Sequence, residues 1–158
     1  MVVFDEHRKP LIGGRALSFG EKGDDFQEFI LSAYVEWVPE FKLLKSIITD
    51  QGTSEDLVHR VFTPQCKALL CTWHIEHKNL KENLKKVADS DAWISFIVDN
   101  LIEAKSVPDY DANYIKLQSD APDRIFTYYS HNLHPCRHRF ARPWRLESFS
   151  AGFQASGR

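Results

Sequence analysis

Apolar and polar positions alternate, cluster and then repeat at helical spacing along this chain. Val2 to Phe4 and Leu11 to Phe19 read as two short strands joined by the polar turn Asp5-Glu6-His7-Arg8-Lys9-Pro10, which predicts a hairpin. Phe26, Phe29, Ile30, Ala33, Tyr34, Trp37 and Val38 then recur three and four apart, with Asp24 and Asp25 where a helix N-terminus favours negative charge. This is one face of a helix that Pro39 helps to end. Leu43 to Thr49 turns β-branched toward its end and predicts a buried strand, broken by Asp50-Gln51-Gly52. Thr53 or Ser54 can cap a helix running to about Phe62, and Ala68 to Cys71 is apolar enough for one more strand. The predicted order is strand, strand, helix, strand, helix, strand.

The remainder reads as helical. His74 to about Val87 places Leu80, Leu84 and Val87 on one face, and Ser90 to about Ala104 carries a wide stripe of Ile94, Ile97, Val98, Leu101 and Ile102. Trp93 and Phe96 are assigned to the core. A further helix starts at Asp109 or at Ala121, the choice being left open by Pro108, Pro122 and Pro135.

Composition narrows the class. With 158 residues, 43% of them hydrophobic and 13% aromatic, the chain has enough apolar material for one domain with a core. A net charge of −2 removes the argument for nucleic-acid binding by bulk charge. The local picture differs: from His131 onward stand Arg137, Arg139, Arg142, Arg145 and Arg158 against the single acid Glu147. Arg137, Arg139, Arg142 and Arg145 interleave with Phe140 and Trp144, a pattern suited to phosphate contact and base stacking. The same pattern also arises when Phe140 and Trp144 belong to a core. Lys78, Lys81, Lys85 and Lys86, mixed with Glu76 and Glu82, fit a solvated helix face better than a DNA track. Three cysteines, Cys66, Cys71 and Cys136, lack the dense spacing of a disulfide scaffold and point to a reducing compartment, cytosol or nucleus. No apolar run approaches the roughly 18 to 20 residues of a membrane span, so no membrane association is expected.

Three pieces in order carry a family resemblance. Ser46-Ile47-Ile48-Thr49-Asp50-Gln51 is a strand ending in Asp-Gln, and after a helix Leu70-Cys71-Thr72-Trp73-His74 leads into Lys78-Asn79-Leu80. This arrangement, with Cys-x-x-His at the next strand-to-helix junction, resembles the Mutator-like element (MULE) transposase domain. The hairpin and helix from Val2 to Val38, including Phe26 to Leu31, look like that family's second and third strands and first helix. The resemblance implies an α/β, ribonuclease-H-like fold, a mixed β-sheet flanked by helices on both sides. It also implies a DDE triad of two aspartates and one glutamate that holds two divalent metals, magnesium or manganese, for cutting and joining DNA. Such chemistry needs carboxylates, because hard cations take oxygen ligands and a metal pair stabilises both the attacking and the leaving oxygen.

By this resemblance Asp50 is the catalytic, metal-binding aspartate, and Cys71 and His74 are signature residues of architectural rather than ligating role; the candidate DNA-contacting set, Arg137, Arg139, Arg142 and Arg145, rests on their interleaving with aromatics alone. The first catalytic aspartate is expected upstream of Met1, since Asp5 sits in the hairpin turn, and the glutamate at or beyond the last residue, with Glu147 the nearest substitute. The chain is thus expected to be a partial catalytic domain over 1–158, lacking its first strand and last catalytic helix, and inactive alone. Its partners would be transposon ends and target DNA in the nucleus, with an oligomer in the intact transposase. Two other readings stand beside this one. The first is a domesticated transposase descendant that binds DNA or regulates transcription without chemistry. The second is a zinc-stabilised protein-interaction module, for which Cys66, Cys71, His74, His77, Cys136 and His138 are the eligible ligands. Zinc is disfavoured by the poor spacing of Cys71-x2-His74-x2-His77.

Overall fold

The structure is a computed structural model that describes residues 2–4, 10–12, 24–38, 45–50 and 54–145. The elements come in the anticipated order: β1 (Val2–Phe4), β2 (Pro10–Ile12), α1 (Asp24–Trp37), β3 (Ser46–Thr49), α2 (Glu55–Val61) and β4 (Lys67–Leu70). β1 and β2 pair antiparallel, Val2 opposite Ile12 and Phe4 opposite Pro10. The extension of the second strand to Phe19 and the turn holding Asp5 lie outside the described residues.

β3 and β4 pair parallel, from Ser46 opposite Lys67 to Thr49 opposite Leu70, so β3, α2 and β4 form a β-α-β unit. Parallel neighbours cannot be joined by a hairpin, and α2 with its flanking loops supplies the crossover. The start of α2 is well specified: Ser54 Oγ accepts a hydrogen bond from Leu57 N at 3.1 Å, and Glu55 and Asp56 occupy the first turn. α1 packs on this unit through Leu31 and Val35, which join Val58, Phe62, Cys66 and Ala68 in a small apolar cluster.

After β4 the chain is helical. The segment α3 (Thr72–His74) continues through a wider π-helical stretch, Ile75–Lys81, into α4 (Glu82–Leu84). α5 (Ser90–Phe96) likewise continues into a π-helical stretch, Ile97–Ile102. Then come α6 (Val107–Asp120), α7 (Asp123–Asn132), a 3-10 turn (His134–Arg139) and α8 (Arg142–Arg145). Both proposed starts of the late helix correspond to real helices. Pro108 lies in the first turn of α6 and Pro122 is the residue before α7, positions where a missing N–H costs nothing. Ser106 Oγ accepts from Asp109 N at 3.2 Å while Asp109 Oδ2 accepts from Lys105 N at 2.8 Å, a reciprocal cap that fixes the entry to α6.

The main core lies among these helices. Leu80, Leu84, Ile97, Leu101, Leu117, Ile125 and Phe140 are fully buried there, and Trp93 and Phe96 pack against its margin. Leu70 joins this core while Ala68 joins the cluster under α1, so β4 connects the two.

The fold is therefore α/β in class and mostly helical. Among the described residues the strands form two two-stranded sheets, antiparallel β1-β2 and parallel β3-β4.

Candidate functional site

The carboxyl edge of the β3-β4 pair is the place where the chain's chemically distinctive residues meet. Parallel strands end side by side, so the residues that follow them are neighbours, and ligands of open α/β sheets collect at this edge. Cys71 N donates to Thr49 O at 2.8 Å, which sets Asp50, the next residue after β3, alongside the start of the helix that follows β4. Asp50 is exposed, as a residue meeting a ligand must be, whereas its strand neighbour Ile47 packs inward.

Cys71 is half-buried and occupies the N-cap position of α3, but its thiol makes no capping hydrogen bond. His74 does not cap the helix either. Its Nδ1 is out of contact with solvent and has no hydrogen-bond partner, an unusual state for a buried imidazole nitrogen. Trp73 stands between two histidines, edge-on to His74 with ring centroids 5.1 Å apart and stacked on His77 at 4.6 Å with planes 12° apart. His77 Nδ1 donates to Trp73 O at 3.1 Å, and its Nε2 accepts from Lys81 Nζ at 3.4 Å.

Magnesium prefers oxygen donors, and this edge offers one carboxylate, Asp50, with a thiol and an imidazole as the next candidates. Among the described residues no group of three or more His, Cys, Asp or Glu side chains is arranged to hold a metal ion. Glu147 lies outside the described residues. The zinc candidates are dispersed: Cys66 is buried under α1, Cys136 Sγ lies 3.4 Å from Leu133 O, and His138 Nε2 pairs with Glu55 at 3.2 Å.

The four arginines are largely built into the fold. Arg139 Nε donates to Ala68 O at 2.6 Å, against the edge of β4 that faces away from β3. Arg145 pairs with Glu103 at 3.1 Å, and Arg137 donates to His134 O at 3.0 Å with its guanidinium 5.4 Å from the centre of the Trp144 ring. Arg137 Nε and Arg145 Nε are buried without partners. Arg142 is exposed. Phe140 is fully buried and belongs to the core, and Trp144 packs against that core while lining a groove beside β4. The lysine helix behaves as a solvated face, with Lys78 paired to Glu82 at 3.3 Å and Lys81 to Glu76 at 2.9 Å.

Sequence reasoning missed a buried polar chain in the helical half. Tyr110 Oη lies 3.0 Å from Tyr129 Oη and 3.0 Å from His134 Nδ1, and both tyrosines are fully buried. Burial pushes the Tyr110 hydroxyl up to about 12 and raises Tyr129 well above its ordinary value. His134 is lowered, first by burial and then by the nearby Arg137 charge, with Asp111 opposing. Tyr114 stacks on His134 with centroids 4.0 Å apart. Tyr110, Tyr114 and Leu117 sit on one face of α6, but their meeting with Tyr129 and His134 is set by tertiary packing that no local pattern encodes.

The fold and this edge define an α/β chain with a β-α-β unit whose carboxyl end carries one aspartate beside a Cys-x-x-His turn. Compared with known proteins, the chain matches no family model, no curated protein and no solved structure.

Proposed function

We propose that this chain is part of the ribonuclease-H-like catalytic domain of a Mutator-like DNA transposase, with Asp50 one of its metal-holding carboxylates. The observation that carries the reading is the register at the carboxyl edge. The Cys71 N–H to Thr49 carbonyl bond of 2.8 Å joins the strand ending in Asp50 to the strand ending in Cys71-Thr72-Trp73-His74. These are the two motifs on which the family resemblance rests.

In this reading Asp50 holds magnesium or manganese jointly with two further carboxylates. The products would be cut and rejoined DNA strands, handled in the nucleus by an oligomer of the intact protein. A domesticated descendant that binds DNA without cutting it is the second reading, favoured by Asp50 being the one carboxylate at this edge among the described residues. Reading the coding sequence on both sides of this frame separates the two. An upstream strand carrying an aspartate and a downstream helix carrying a glutamate support the transposase; intact coding sequence with no acid at either place overturns it.

A further inference from the structure

We draw no further inference here: the strongest candidate, the side-chain cluster of Tyr110, Tyr129 and His134 between α6, α7 and the 3-10 turn, carries no site of its own, because both tyrosines are fully buried and their hydroxyls are bonded in series to His134 Nδ1, which makes the cluster part of the core's packing rather than a place for a ligand.

Discussion

At the scale of single residues, the Tyr129–Tyr110–His134 chain shows how a buried polar group dictates its neighbours. If Tyr129 donates to Tyr110 and Tyr110 donates to His134 Nδ1, both phenolic protons are used; protonating Nδ1 would reverse the chain and strand the proton of Tyr129, which is fully buried. Removing the middle member should therefore cost more than removing the end. Tyr110→Phe leaves both a buried hydroxyl and an imidazole nitrogen unsatisfied, and about 2–3 kcal/mol is expected in urea unfolding, against about 1 kcal/mol for Tyr129→Phe. Equal losses would contradict Tyr110 as the middle member of the chain. The same geometry sets a pH dependence. His134 is lowered from 6.5 in the folded state, so the unfolded chain binds its proton more readily. The stability this residue contributes is complete above its unfolded value and falls as pH drops below it through the folded value. Nitrogen NMR of His134 should report a neutral Nε2–H ring at pH 6.5, and a His134→Gln variant should show a shallower loss of melting temperature over this window.

Elements were legible where their signals are local. Ser54 before Glu55 and Asp56 announces α2, and the structure has Ser54 capping it. Ser54→Ala should cost about 1 kcal/mol by loss of that cap, read as a lower urea midpoint at constant slope. The limits of β3 and β4 shifted by a few residues, since a strand begins where its backbone finds a partner strand rather than where apolar residues begin. The late helices were ambiguous because proline was weighed as a breaker, while Pro108 and Pro122 act as helix starters. Asp89, between α4 and α5, holds a positive φ of 55°, a conformation that glycine adopts without cost. Asp89→Gly is expected to raise stability by about 0.5–1 kcal/mol in the same unfolding assay, and a loss would show that the aspartate side chain compensates for its backbone.

At the scale of the whole molecule, the class of fold was readable and the arrangement of strands was not. Alternating patterns specify that a strand exists, but pairing is decided between segments distant in sequence. The candidate site was half legible for the same reason. Asp50 and the Cys71-x-x-His74 turn stand out in the sequence, yet that they meet at one edge follows from the parallel register of β3 and β4. In the arginine-rich end, Arg137, Arg139 and Arg145 hold the 3-10 turn and α8 against β4, the π-helical end and Trp144, and the contacts of Arg139 and Arg145 run between segments distant in sequence.

Asp50 is proposed as one carboxylate of a metal-dependent DNA-cleaving centre. The most direct measurement is magnesium-dependent nicking of a terminal-repeat DNA duplex by the protein expressed from the full coding sequence, comparing Asp50 with Asp50→Asn. A loss of at least ~100-fold in rate, with the fold retained, is the predicted result. Equal nicking by the two proteins would contradict the account.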